Sequence, residues 1–188
     1  CGNIEFVGVL ATGYNVVDIE AAKERNIPVS NIPTYGTAAV GQFAIALLLE
    51  ICHHIGYHSE AVREGKWARN PDWCFVGTIR LIELDQKQWE LSVMAESGSL
   101  REGSRRRWEC ACWHMIPTRT RNWVSDTCRY AALDELLECS DVIALHCPLF
   151  PETEKIINKD TIAKMKDGVI ILNNSRGPLI EEQDLADA

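Results

Sequence analysis

The residues best suited to chemistry stand at the ends of two apolar runs. "DVIALHC" leads into Cys147 and Pro148, and "GVIILNN" leads into Asn174, Ser175 and Arg176. In a parallel sheet covered on both faces, ligands bind beyond the carboxyl ends of the strands. "HCP" and "NNSRGP" are therefore expected at one shared rim. Arg176 brings there a planar fork of N–H donors suited to carboxylate and oxyanion recognition, although position alone fits a surface cation equally well. Thr12 and Gly13, in "LATGYN", read as a turn with Gly13 free to take positive φ. Cys147 lies in an apolar run, where a buried inert thiol is ordinary.

The elements that must position these residues follow an alternating rhythm. Residues 4–10, "IEFVGVL", read as a strand, and "VVDIEAAKERN" has helical spacing with Val17, Ala21 and Ala22 on one side. "IPVSNI" reads as the next strand. A long helical pattern runs from about Thr37 to Trp67, apolar enough to expect burial on more than one side. Further on, "LDELLECS", "NKDTIAKMK" and "EEQDLADA" read as helices around the strands "DVIALHC" and "GVIILNNS". Strands that alternate with helices, several apolar at nearly every residue, indicate an α/β fold built on a parallel sheet.

Composition narrows the function. A net charge of -8 and a pI near 5.1 argue against nucleic-acid binding, which needs an excess of Lys and Arg against phosphates. No stretch approaches the roughly 20 unbroken apolar residues of a membrane span, so a soluble protein is expected. Eight cysteines in 188 residues are too sparse for a small disulfide scaffold, and a reducing cytoplasm is the simplest setting. "CGNIEFVGVL" has no initiator Met or signal pattern, and "DLADA" stops inside a helical pattern. A fragment cut at both ends is expected.

One stretch fits none of this: "DQKQWELSVMAESGSLREGSRRRWECACWHMIPTRTR", Asp85 to Arg121, lacks the periodicity of its flanks. Cys110, Cys112 and His114, with Cys128, resemble half of a zinc site, but C-x-C is not the usual C-x₂-C spacing and no metal is expected.

"LLECSDVIALHCPLFPETEKIIN" and "MKDGVIILNNSRGPLIEE" resemble the two downstream signature segments of the D-isomer-specific 2-hydroxyacid dehydrogenases. "LATGYNVVDIEAAKERNIPVSNIPTYGTAAVGQ" is similar to that family's substrate loop and its crossing into the nucleotide domain, with a lean towards the glycerate dehydrogenase or hydroxypyruvate reductase branch. The resemblance implies residues 1–34 as the tail of a flavodoxin-like substrate domain. It implies 35–188 as an incomplete Rossmann-type NAD-binding domain, a doubly wound parallel sheet. It implies NAD as cofactor, a small 2-hydroxy or 2-keto acid as substrate, and a homodimer for the intact parent, with no nucleic-acid or membrane partner. Arg176 matches the catalytic arginine. Thr12 and Gly13 match the loop whose backbone N–H groups receive the substrate carboxylate. Cys147, Pro148, Thr153, Asn174, Ser175 and Arg176 fall where the family lines the nicotinamide and its ribose. The family's acid/base histidine and its partner carboxylate come later than residue 188. His53, His54, His58, His114 and His146 do not replace them, so this chain alone is expected to be inactive.

The family also needs a G-x-G-x-x-G turn after the first strand of the nucleotide domain, because only glycine lets the pyrophosphate approach the backbone. Between Trp73 and Leu133 there is none. Codons made from the third base of each residue and the first two bases of the next supply one. Trp89 with Glu90 and Met94 with Ala95 must each give glycine, and from Lys87 onward the letters permit "TMGIIGYGRIG". Trp108 with Glu109 forces glycine, Trp113 with His114 alanine, and Met115 with Ile116 aspartate. That aspartate falls 18 positions past the last glycine, near the roughly 20 expected of the acid that holds the ribose 2′-OH. It would favour NAD over NADP by repelling a 2′-phosphate. Residues 85–121 are thus expected to be a shifted reading of an NAD-binding segment, with poor folding, exposed tryptophans and no measurable NADH affinity. Two alternatives stand beside the enzyme: a non-catalytic dinucleotide-binding, corepressor-like module, and a decayed gene product.

Overall fold

The computed structural model describes the backbone of residues 3–33, 35–75, 77, 79–85, 87–93, 112–115 and 128–188. The N-terminal unit is a small parallel pair. Strand β1 (Val7–Gly8) lies beside β2 (Val29–Ser30), joined by helix α1 (Ile19–Glu24). Asp18 starts that helix by accepting a hydrogen bond from the Ala21 N–H at 2.9 Å, satisfying one of the donors a helix leaves open. The strand expected over 4–10 is paired only at its centre. Its ladder runs through bonds from Val7 N–H to Pro28 O (3.0 Å) and from Val9 N–H to Ser30 O (2.8 Å), and past it the Ile32 N–H reaches Ala11 O.

The single long helix expected from Thr37 to Trp67 is two helices. Helix α2 (Thr37–His53) ends at His54, which takes left-handed φ 47°, and α3 (Ile55–Arg63) leaves at 61°. The break is closed from both sides. The His54 N–H donates to Glu50 O at 2.8 Å, and the Glu50 carboxylate accepts the Gly56 N–H at 3.1 and 3.2 Å. The expectation of burial on several sides also fails. Ala44, Leu48 and Cys52, spaced four apart, form one buried stripe, while Phe43 is 59 % exposed.

The main sheet has five parallel strands: β3 (Trp89–Val93), β4 (Cys112–Met115), β5 (Cys128–Tyr130), β6 (Val142–His146) and β7 (Ile170–Asn173), in the order β5-β4-β3-β6-β7. Helix α4 (Leu133–Cys139) precedes β6. Helix α5 (Lys159–Ile162), capped by Asn158, precedes β7, and α6 (Glu182–Asp187) closes the chain. Every residue of β6 is buried, and alternation sorts them to two cores. Val142 and Ala144 join Leu48 and Cys52 of α2, whereas Ile143 and Leu145 join Leu137, Ile157 and Leu179. No single helix among the described residues is long and apolar enough to cross a membrane.

The strand order has a reversal at its centre. From β3 the chain steps outward through β4 and β5, then returns to the other side of β3 for β6 and β7. In a doubly wound sheet the ligand crevice is expected beyond the carboxyl ends of the strands at such a switch point, here those of β3 and β6. The start of β3 is fixed through backbone groups. Gln88 O accepts the N–H groups of Asp141 (2.8 Å) and Val142 (3.1 Å), and the Gln88 N–H donates to the Asp141 carboxylate at 2.9 Å. Partial burial opposes the Asp141 charge, but the Gln88 N–H and the ammonium groups of Lys166 and Lys87 outweigh it and hold the carboxyl below its ordinary pKa.

Candidate active site

The rim is built by the turn that follows β7. Asn173 folds it: its Nδ2 donates to Arg176 O at 2.8 Å and its Oδ1 accepts the Ser175 N–H at 3.1 Å. Ser175 Oγ then donates to Leu145 O at 3.0 Å, tying the turn to the last residues of β6. Asn174 reaches the other way, donating to Val40 O in the first turns of α2 at 3.2 Å. Its Oδ1 is buried without a hydrogen-bond partner. An orphan acceptor of this kind is costly unless a ligand or water meets it.

Arg176 crosses from the main sheet to the N-terminal unit. Its Nε donates to Asn15 Oδ1 at 3.2 Å and its Nη1 to Ser175 O at 2.8 Å. The guanidinium lies directly on Gly13, where a Cβ would overlap Nη2, Cζ and Nε. This corrects the expected reason for the glycine. Positive φ is confined to Gly65 and Gly168 among the described glycines, so Gly13 is required for close approach and not for its backbone angle. The loop is held from behind as well. Asn31 Nδ2 donates to Thr12 O at 2.8 Å, and the Ile32 N–H donates to Ala11 O at 3.2 Å.

The residues sequence reasoning chose divide into two groups. Thr12, Gly13, Ser175 and Arg176 come together as one constellation, with Asn174 alongside. Cys147 is 7 % exposed and packs in the core cluster of Leu137, Ile143 and Leu145, which leaves its backbone, not its sulfur, to the rim. Thr153 closes its own loop, its Oγ1 donating to Pro148 O at 2.7 Å and accepting the Phe150 N–H at 2.8 Å. Asn15, Asn31 and Asn173 were missed as positioning groups. The signal available was a short amide beside a turn in each of "GYN", "SNIP" and "LNNS".

Side chains 89–93, 112–115 and 128–130 and residues 94–111 and 116–127 fall outside what the structure describes, and with them the suspected half zinc site and the tryptophan-rich stretch. Among the described residues no group of His, Cys, Asp and Glu forms a metal cluster.

Residues 45–188 match the family model of the D-isomer specific 2-hydroxyacid dehydrogenase NAD binding domain. The chain belongs to the D-isomer specific 2-hydroxyacid dehydrogenase family. It is 62 % identical over 188 residues to a hydroxypyruvate reductase of Blautia hydrogenotrophica, covering 100 % of the chain and 58 % of that protein. It is 32 % identical to a hydroxypyruvate reductase of Thermotoga maritima, covering 97 % and 57 %. Among solved structures, the Aquifex aeolicus D-lactate dehydrogenase complexed with NAD and lactic acid superposes with a TM-score of 0.84 at 26 % identity, over 98 % of this chain and 54 % of that one. The apo D-lactate dehydrogenase of Escherichia coli gives 0.83 at 27 %, over 98 % and 56 %. The chain thus spans little more than half the length of these relatives.

NAD is the cofactor of the matched domain, and the two ends of its site fit this chain differently. At the rim beyond β7 the buried, unpartnered Oδ1 of Asn174 beside Ser175 fits a ligand that donates a hydrogen bond, as a carboxamide or a ribose does. At the pyrophosphate end the written residues 88–98, "QWELSVMAESG", hold a single glycine, at the last position. That end does not fit.

Proposed function

We propose that the whole protein to which this chain contributes is an NAD-dependent oxidoreductase acting on a small D-2-hydroxy acid or the matching 2-keto acid, in the hydroxypyruvate reductase branch. One observation carries this reading: the Arg176 guanidinium lies on Gly13, so a cationic fork from the main sheet meets the Thr12–Gly13 backbone of the N-terminal unit. A 2-keto acid needs this pair of partners, one for its carboxylate and one for the oxygen that gains charge during reduction. Nicotinamide supplies or accepts the hydride at C2. Arg176 holds the carboxylate and keto oxygen together, and Asn15 and Ser175 O hold Arg176. The proton for the developing alkoxide is assigned to a general acid outside this constellation.

The N-terminal unit to residue 34 is read as the tail of the substrate domain, and 35–188 as the nucleotide domain. Phe43 (59 % exposed), Ile55 (57 %) and Trp73 (90 %) leave apolar surface around α2 and α3, which supports a homodimer formed through this face. Cys52, Cys74, Cys139 and Cys147 are free thiols, in keeping with a cytoplasmic setting.

The test is an NADH-oxidation assay of the whole gene product with hydroxypyruvate, glyoxylate, pyruvate and 3-phosphohydroxypyruvate. Turnover of hydroxypyruvate at least tenfold above the others is expected. NADH binding without turnover of any of them would replace the enzyme by the corepressor-like module. Absence of both from a reading-frame-intact protein would remove the dinucleotide reading itself.

A further inference from the structure

We infer that the DNA encoding residues 87–116 specifies a complete dinucleotide-binding loop one base out of step with the written chain, and that the written polypeptide has no pyrophosphate site. The inference rests on the dinucleotide reading of the sheet and is independent of the substrate.

The strand order makes two demands. A dinucleotide lies across the switch point, so its pyrophosphate must meet the turn that follows β3, where glycines admit the phosphates to the backbone. Its adenosine ribose must meet an acidic residue at the carboxyl end of β4, the strand next to β3. The written chain satisfies neither. After Val93 it reads M-A-E-S-G, with one glycine and a glutamate where the fingerprint calls for glycines. Past the end of β4 it reads Ile116.

The frame that starts at the third base of each codon meets both demands at the required places. Trp and Met have one codon each, so several of its residues are forced. Read across Trp89 to Ala95 it gives G-I-I-G-Y-G, in which the first and last glycines are forced and the rest permitted. Read across Trp108 to Ile116 it gives G-M-R-V-L-A-Y-D, in which the glycine, leucine, alanine and aspartate are forced. The written β3 sequence, W-E-L-S-V, carries a glutamate and a serine in the middle strand of five. The shifted frame spells apolar runs over both β3 and β4, as strands covered on both faces require.

The register of the sheet supplies evidence that codons do not. Ser92 of β3 is the Cα partner of Met115 of β4. The shifted codon at 92/93 permits the fingerprint's first glycine, and the shifted codon at 115/116 forces the aspartate. The two groups that must hold neighbouring parts of one dinucleotide therefore fall at the same level on adjacent strands. Nothing in the genetic code links position 92 to position 115; only the parallel pairing does. Because β3 is anchored at Gln88 through backbone N–H and C=O groups, its place does not depend on which side chain the frame puts there. Loss of one base, or gain of two, shortly before Lys87 and the reverse after Ile116 accounts for the whole segment.

The experiment is to sequence the gene and its transcript from codon 80 to codon 130. The inference requires Glu90 as GAA, Leu91 as TTA, Ser92 as TCG, Val93 as GTT, Glu96 as GAA and Ser97 as TCG, because each other choice breaks the G-I-I-G-Y-G-R-I-G reading. These third bases support the inference whether the single-base changes sit in the DNA or vanish on resequencing. Ser92 or Ser97 encoded by any codon other than TCG removes a fingerprint glycine and overturns it.

Discussion

Strands β6 and β3 lie side by side, paired from Val142 opposite Trp89 to His146 opposite Val93, yet only β6 is spelled as its position demands. Its five residues are all buried, and it delivers Cys147 and Pro148 to a rim completed by Asn174, Ser175 and Arg176. The written β3 occupies the more central place, and the letters after it, M-A-E-S-G, hold one glycine where the fingerprint needs three. Position in a sheet follows from backbone ladders and from the elements on either side, which tolerate poor letters. Binding follows from the letters at the strand ends, which do not. The two strands thus separate what makes this fold from what makes it hold a dinucleotide.

Substitutions at three positions, made in the whole gene product with its frame restored, sharpen that contrast. Arg176→Lys keeps the charge but loses the fork, and kcat/KM is expected to fall on the order of 10² to 10³, as for removal of a transition-state oxyanion donor. Its NADH affinity should stay within about twofold. An equal loss of both would mean that rim and centre form one inseparable site. Asp141→Ala acts at the opposite edge, where it frees the Gln88 N–H and two ammonium groups. A stability loss of about 1.5–3 kcal/mol is expected from urea unfolding at neutral pH. Because the folded carboxyl titrates below its ordinary value, its contribution is full above the unfolded pKa near about 3.9. It is lost as pH falls through the lower folded value. The variant and parent curves should therefore converge only in strong acid. Convergence already at pH 6 would contradict the assignment. Asn15→Ala removes one hydrogen bond to Arg176, and about a fivefold to tenfold drop in kcat/KM is expected. Asn15→Asp, which keeps the acceptor, should recover most of it; failure of that rescue would make Asn15 a mere packing residue.

Much of the fold could be read from the letters because burial writes itself into them. The apolar runs of β6 and β7 and the pattern of α4 were evident, and Arg176 with Thr12 and Gly13 stood out as strand-end and turn residues. What stayed hidden depends on distance across the chain. Asn15 meets Arg176 across 161 positions, and Asn31 supports Thr12 from the next strand. Neither contact has a local signature. The break at His54 was missed because a histidine in left-handed conformation carries no stop signal of the glycine kind; Glu50, capping both sides, makes it tolerable. Gly13 was chosen for a turn and turned out to be needed for the space its missing Cβ leaves. β3 is the opposite case: "WELSV" alternates apolar and polar residues as a half-buried strand does, and a central place between two layers was legible only through the codons behind it.

The most direct measurement is a titration of NADH, followed by its fluorescence, into two forms of the whole gene product that differ only over residues 87–116, one as written and one with the frame restored. The restored form should bind saturably at micromolar concentrations. The written form, lacking two or more charge-assisted bonds to the pyrophosphate, should bind weaker by on the order of 10² or more and show no saturation in that range. Saturable binding of equal strength by the written form would contradict the account, because the sheet would then hold a dinucleotide without the glycines that its switch point demands.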